Sequence, residues 1–234
     1  MLLSAAVWAS CFSGGSQNGA IVPVSEFSIS LMESNTLPLE PISLTRDSSG
    51  VRARYHFFSR NCLCASDARL VCRGTATLNG TSLLPVNGYF PIGGLVVEGE
   101  NVIEVCGEEE MGPVSLVGDF GVWASAEEGW FTDRGRVPET GLMARQGYPF
   151  YSGEISYRRL FDVPQKAGKR ILGISSWKGT ACSVWVNNKK VADVNKRRFK
   201  MNIGPYLKAG VNEVVVLLSG SSGEMGLKEE PTLK

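Results

Sequence analysis

The sequence predicts an all-β protein built from two tandem antiparallel β-sandwich domains. Three observations lead to this prediction. Short stretches of alternating apolar and polar residues are frequent. Apolar residues at helical spacing do not continue beyond two turns, and one set of turn motifs occurs twice, about 110 residues apart. The 27 glycines and 11 prolines among 234 residues also indicate many turns joining short strands.

The first sandwich is predicted over residues 26–122, after a tail or extra strand at 1–25. Residues 51–58 begin with clear alternation, which is typical of a half-buried strand. Asn79-Gly80 is the strongest hairpin signal, because both residues tolerate the positive φ of a type I′ turn. Gly99-Glu100-Asn101 then opens another apolar strand.

A weaker pattern follows the first sandwich. Residues 123–146 are interpreted as a crossover, packed rather than mobile because it contains Trp130 and Phe131. Strand patterns resume in a second sandwich at residues 147–222, with a tight turn at Asn187-Asn188. Residues 223–234 are polar and are predicted to form a flexible tail.

The two halves of the chain form an internal repeat. Asn79 corresponds to Asn187, an offset of 108, and Asn101 corresponds to Asn212, an offset of 111. Phe58 and Phe161 end comparable strands in the two halves. A period this long is too large for a solenoid and suits two copies of a small sandwich. The asparagine side chains are expected to cap the turns with their amides.

Composition excludes several function classes. Hydrophobic residues make up 43% and the net charge is +1, which disfavours a nucleic-acid partner. No apolar run is long enough to span a membrane, and we expect no cofactor. With one histidine and no Cys-x-x-Cys pair, no metal site is expected. The six cysteines are read as buried free thiols, with a disulfide or redox pair as the alternative: Cys11, Cys62, Cys64, Cys72, Cys106 and Cys182.

The N-terminal segment leaves the cellular location open between cytoplasmic and secreted. It is mildly apolar but lacks the basic region of a signal peptide. Cys11 follows Ala-Ser, which resembles a lipoprotein signal, yet Trp8 stands where an aliphatic residue is expected. A leftover strand or tail is the preferred interpretation, and a cleaved signal is the alternative.

The repeated motifs resemble a known family. Leu78-Asn79-Gly80 followed by residues 99–103 resembles the sugar-binding, galactose-binding-like jelly roll of glycoside hydrolase family 2 and its relatives; residues 186–188 and 210–212 are a looser copy. Residues 116–122 and 146–153 resemble segments of large, mostly bacterial glycoside hydrolase-like proteins. The resemblance covers roughly residues 26 to 222. It implies a β-sandwich fold and association with carbohydrate enzymes.

The resemblance does not imply catalysis. Those enzymes hold their two carboxylates in a (β/α)₈ barrel, and this sequence has no eightfold βα pattern. No catalytic residue is therefore assigned. The carboxylates weighed for such a role are Asp119, Glu127, Glu128, Asp133 and Glu154.

Sugar binding is the more plausible chemistry, because aromatic faces stack on pyranose C–H groups and side-chain amides bind hydroxyls. Trp177 is the preferred candidate, in a predicted loop before Lys178-Gly179; the others are Tyr148, Tyr151, Gln146 and Trp130. The leading hypothesis is a non-catalytic accessory region of a glycoside hydrolase-like protein, whose partner is carbohydrate or a glycosidase catalytic domain. The alternatives are a stand-alone lectin-like or adhesion module and a glycoside hydrolase with an unrecognised site.

Overall fold

The computed structural model describes residues 26–48, 50–61, 63, 67–108, 111–164, 168–220 and 223–234. The predicted tail or extra strand at 1–25, with Cys11, lies outside the described residues, as do Cys62 and Cys64. Within the described part, the regular structure consists of β-strands and short 3₁₀ turns, at Met143–Gln146 and Gly204–Tyr206. The predicted all-β class is confirmed.

The strands are short and follow one another closely along the chain. Those in the first half are β1 (Ser28–Leu31), β2 (Asn35–Leu39), β3 (Pro41–Asp47), β4 (Gly50–Ser59), β5 (Arg69–Val71), β6 (Thr75–Leu78), β7 (Thr81–Ser82), β8 (Phe90–Pro91), β9 (Gly99–Gly107), β10 (Val114–Gly118), β11 (Phe120–Ser125) and β12 (Gly129–Arg134). Those in the second half are β13 (Gly153–Val163), β14 (Ile171–Ile174), β15 (Trp177–Lys178), β16 (Ala181–Val186), β17 (Lys189–Asp193), β18 (Phe199–Asn202), β19 (Gly210–Gly220), β20 (Gly226–Leu227) and β21 (Thr232–Leu233).

The first sandwich packs two sheets face to face. One sheet has the order β11-β12-β4-β9-β6-β7, with β3 also paired to β4, and the other has the order β2-β10-β5-β8. Alternation along β4 explains the packing: Val51, Ala53, Tyr55 and Phe57 are buried, while the residues that alternate with them are exposed, namely Arg52, Arg54 and His56. The buried faces of the two sheets form one hydrophobic core.

The second sandwich repeats this plan with a separate core. Its larger sheet has the order β1-β13-β19-β16-β17, and it is opposed by β18-β14-β21 and by the β15-β20 pair. Tyr157, Ile155, Val184 and Val216 are fully buried between them.

The chain enters the second sandwich before it builds the first. Ser28 of β1 lies opposite Arg158 and Leu31 lies opposite Ile155, so β1 pairs antiparallel with β13. Phe27 also belongs to the second core. The predicted start of the first sandwich at residue 26 is therefore wrong. Four residues with weak alternation carry little local signal, and their position is fixed by pairing with a strand 130 residues away.

Two further boundaries differ from the prediction. The segment 123–146 contains the end of β11 and all of β12, and Phe131 of β12 lies opposite Phe58 of β4. The first sandwich therefore extends to Arg134. Residues 223–234 include β20 and β21, which pair with β15 and β14, so the predicted flexible tail is part of the second sandwich. Leu227 is fully buried there.

The internal repeat is confirmed in its hydrogen bonds. Asn101 Oδ1 accepts from Asn79 Nδ2 at 3.0 Å and from Val97 N at 2.9 Å, while its Nδ2 donates to the carbonyls of Val97 and Gly99. Asn79 Oδ1 accepts in turn from the backbone of Val102 at 2.9 Å. The asparagine amides therefore cap the turn as predicted.

The second sandwich has the same hydrogen bonds. Asn212 Oδ1 accepts from Asn187 Nδ2 at 2.9 Å and from Lys208 N at 2.9 Å, and its Nδ2 donates to the carbonyls of Lys208 and Gly210. The φ angles of Asn79 and Asn187 are 51° and 49°, as the predicted tight turns require.

Candidate functional site

A cleft of about 790 Å³ opens on the smaller sheet of the second sandwich. Its floor is β14, which pairs with β18 on one side and with β21 on the other. Gly173 in β14 lies opposite Lys200 and Thr232, and a Cβ at Gly173 would lie 2.6 Å from Thr232 Oγ1. Glycine therefore allows β21 to approach. The lining residues are Gly173–Ser176, Arg197–Lys200, Lys228–Glu230 and Thr232.

Trp177 stands beside this cleft. It follows Ser176 directly and lies in β15 opposite Leu227, not in the loop that the sequence predicted. Its indole Nε1 donates to the carbonyl of Lys196 at 3.1 Å, and the partly buried ring packs on the second core. The backbone N–H of Lys228 donates to the carbonyl of Ser176 at 3.1 Å. These two bonds tie the walls of the cleft to each other.

The cleft is rich in cationic side chains. Arg197, Arg198, Lys200 and Lys228 line it together with Glu229 and Glu230. Sequence reasoning did not single these residues out, although the run Lys196-Arg197-Arg198-Phe199-Lys200 was a visible local signal. Just outside the cleft, the Lys178 ammonium lies 2.9 Å from a Glu224 carboxylate oxygen and lowers the pKa of that carboxyl group.

Two of the other predicted sugar-binding residues are core residues. Tyr148 and Tyr151 are 6% and 0% exposed. The Tyr148 hydroxyl donates to the carbonyl of Arg136, and burial raises the pKa of that hydroxyl. The Tyr151 hydroxyl lies 2.7 Å from Glu33 Oε2 and 2.6 Å from the carbonyl of Glu154, and burial raises the pKa of Tyr151 as well. Their rings and hydroxyls hold the second sandwich together.

Gln146 and Trp130 lie in different settings. The Gln146 side chain makes a closed pair of hydrogen bonds with the backbone of Glu139, through its Oε1 at 2.6 Å and its Nε2 at 3.0 Å. Trp130 lies on β12 of the first sandwich, is 45% exposed and meets the ring of Phe150 edge-on at 4.8 Å. Trp130 and Trp177 therefore lie in different sandwiches.

Three of the five carboxylates weighed for catalysis make structural contacts. Glu128 pairs with Arg60 at 3.3 Å, Asp133 accepts from Asn61, and Glu154 accepts from Ser219 at 3.1 Å. The backbone N–H of Asp119 donates to the carboxylate of Asp67 at 3.0 Å.

The described residues contain neither a candidate metal cluster nor a candidate membrane-spanning helix. No cluster of three or more His, Cys, Asp or Glu side chains is arranged to hold a metal ion there. That same part of the chain has no helix with the length and apolar character needed to cross a membrane.

The fold defines an all-β protein of two related sandwiches. No protein-family model matches the sequence, and no curated protein matches it. Among solved structures it is similar to an α-L-rhamnosidase of Streptomyces avermitilis complexed with L-rhamnose, at 13% identity and a TM-score of 0.32, covering 90% of this chain and 27% of that one.

Two further solved structures show similarity at the same level. A β-D-glucuronidase of Dictyoglomus thermophilum gives 15% identity and a TM-score of 0.30, covering 49% of this chain and 23% of that one. A rhamnosidase of Novosphingobium sp. PP1Y gives 14% identity and a TM-score of 0.31, covering 84% and 21%. The chain spans about a quarter of the length of these proteins.

Proposed function

We propose that this chain is a non-catalytic, carbohydrate-binding accessory region of a glycoside hydrolase-like protein. The observation that carries the proposal is the cleft beside Trp177. Trp177 directly follows the lining residue Ser176, so its indole is the nearest candidate surface for a pyranose ring in sequence, and the hydroxyls and cationic groups of the walls provide partners for sugar oxygens. The galactose-binding-like motifs of both sandwiches support the same proposal.

The contacts of the weighed carboxylates support the non-catalytic part. A glycosidase needs two carboxyl groups facing each other across a substrate, about 5–10 Å apart. Glu128 and Asp133 are instead engaged by Arg60 and Asn61 within the first sandwich, and Glu154 is engaged by Ser219 within the second.

A glycan array with the purified chain, read beside a panel of aryl glycosides, tests the proposal. Binding is expected to be weak and to be lost in Trp177→Leu, because the stacking surface is removed. Trp177→Phe loses the same Nε1 hydrogen bond but keeps an aromatic face, so it is expected to retain binding. Trp185→Leu is the matched control, since Trp185 lies on the larger sheet of the second sandwich.

The outcomes separate the candidate functions. Hydrolysis of any aryl glycoside by the pure chain would overturn the non-catalytic assignment. Equal loss of binding in Trp177→Leu and Trp185→Leu would show that the cleft is not the site.

A further inference from the structure

The cleft carries more positive than negative side chains. Four cationic side chains line it, against the two carboxylates of Glu229 and Glu230. One of these carboxylates is already engaged, because Glu230 Oε1 accepts from the backbone N–H of Phe27 at 2.6 Å. The walls of the cleft therefore present a surplus of positive charge to whatever occupies it.

The four cations are not neutralised inside the protein. Elsewhere in the described structure, Arg60, Arg69 and Arg158 each pair with a carboxylate. In the described residues no ion pair involves Arg197, Arg198, Lys200 or Lys228. Like charges around one concave surface repel each other until an anion enters the cleft. Their combined positive potential also raises the local concentration of anions.

The first sandwich provides an internal comparison. At the offset of 111 that relates Asn101 to Asn212, Arg197 and Arg198 correspond to Val86 and Asn87, and Lys200 corresponds to Tyr89. Those positions lie in and around the same turn before β8, the counterpart of β18. The first sandwich therefore has uncharged side chains at these three positions, and its nearby cation, Arg69, lies over the Tyr89 ring at 5.0 Å and pairs with Asp67.

A buried polar group in the wall also lacks a partner. The Ser175 hydroxyl, between the floor strand β14 and Trp177, has no hydrogen-bond partner among the described residues. Buried polar groups in native proteins are almost always satisfied, and a water or ion that supplies the missing bond is one recognised explanation of an exception.

We infer that the cleft takes an acidic glycan, with a sugar ring against Trp177 and its carboxylate or sulfate group paired with the guanidinium groups of Arg197 and Arg198. The planar fork of a guanidinium matches such groups with two parallel hydrogen bonds. Lys200 and Lys228 add point charges on either side of the floor strand. The inference rests on the proposed carbohydrate-binding function and names the chemical class of the ligand.

The test is isothermal titration of the full chain with four probes. These are oligogalacturonate, its methyl-esterified form, a sulfated oligosaccharide and single-stranded DNA. Oligogalacturonate, the sulfated sugar or both are expected to bind at least tenfold more tightly than the methyl ester, which keeps the ring but lacks the charge. Affinity is expected to fall with added salt, because exposed charges are screened. Which acidic sugar binds identifies the anionic group.

Two double variants locate the effect. Arg197→Gln/Arg198→Gln is expected to weaken acidic-glycan binding about tenfold and to leave any binding of the methyl ester unchanged. Arg52→Gln/Arg54→Gln removes the same charge from exposed positions on β4 of the first sandwich, and it is expected to have no effect.

The possible failures are distinguishable. Equal binding of the charged and esterified sugars would overturn the acidic-ligand inference and leave carbohydrate binding in place. Binding of DNA as tightly as the acidic sugars, or an equal effect of both double variants, would show that the chain attracts anions without selecting a sugar. Either result would overturn the inference. Absence of binding to every sugar would overturn the inference together with the proposed function.

Discussion

Replacing Asn101 or Asn212 by alanine removes the side chain at the centre of each repeated turn. Both residues are almost fully buried, at 0% and 1% exposure, and each side chain makes four hydrogen bonds. In each turn these bonds join the asparagine of the preceding hairpin to the loop that leads into the long strand β9 or β19. The substitution therefore releases the hairpin and the loop together.

The loss in the free energy of unfolding depends on whether the released hydrogen-bonding groups can bond to water instead. Most of the groups released around Asn101 belong to exposed residues, including Val97 and Gly99, so water can replace part of the lost bonding. At a net value of about 0.5–1 kcal/mol for each bond, four bonds amount to about 2–4 kcal/mol. For a chain of this size, each kcal/mol lowers Tm by about 2–4 °C, which gives a decrease of roughly 4–16 °C.

Urea unfolding of each variant, followed by tryptophan fluorescence, measures this loss. Asn101→Ala and Asn212→Ala are expected to cost similar amounts, because their bonding is equivalent. Asn101→Asp should cost at least as much as Asn101→Ala, since a carboxylate oxygen then faces two carbonyl oxygens. Asn195→Ala, at an exposed asparagine, is the control and should stay within about 0.5 kcal/mol. A loss below about 0.5 kcal/mol in both buried variants would refute the reasoning.

Two further predictions concern the second core. Tyr151→Phe is expected to cost about 1–3 kcal/mol in urea unfolding, because its hydroxyl accepts from the backbone N–H groups of Met32 and Glu33 and shares one proton between the Glu33 carboxylate and the Glu154 carbonyl; an unchanged midpoint would contradict this role. Burial raises the pKa of the Cys182 thiol to about 12, so the unfolded chain, with an ordinary thiol pKa of about 8.5, loses this proton first. Stability should therefore fall as the pH rises from about 8.5 towards 12, and Cys182→Ala should flatten that decline in pH-dependent unfolding; an identical slope would contradict the assignment.

Local turn chemistry made the repeat predictable. Asn79-Gly80 and Asn187-Asn188 specify their turns through backbone angles that few residues accept, so the signal is contained in two or three positions. The register of strand pairing was harder to predict from the sequence. Phe58 and Phe161 were matched, yet the structure places Phe57 opposite Asn101 and Phe161 opposite Asn212. A slip of one residue changes the face on which a side chain lies, and local sequence does not fix it.

The candidate site was predictable only in part. Trp177 was identified because an indole beside a predicted loop has a recognisable chemistry, although its place in β15 and the partial burial of its ring were not foreseen. Tyr148 and Tyr151 are aromatic like Trp177, so the sequence alone could not separate them from it as candidates. Their burial depends on strands from distant parts of the chain. The cationic residues of the cleft were not predicted, because a basic run indicates a binding site only when β14, β18 and the C-terminal segment enclose a common space.

The interleaving of the two sandwiches has consequences for any experiment that divides the chain. The buried Asn35 side chain donates to the carbonyl of Phe120 at 2.7 Å and to that of Gly147 at 2.9 Å, bonding the segment after β1 to both sides of the crossover. Bending the chain at this point would leave that buried amide unsatisfied, which disfavours a hinge. A fragment starting at residue 147 would also lack β1 and expose the edge of β13. Because an unpaired edge strand promotes aggregation, loss of glycan binding by that fragment would report a damaged sheet rather than the location of the site.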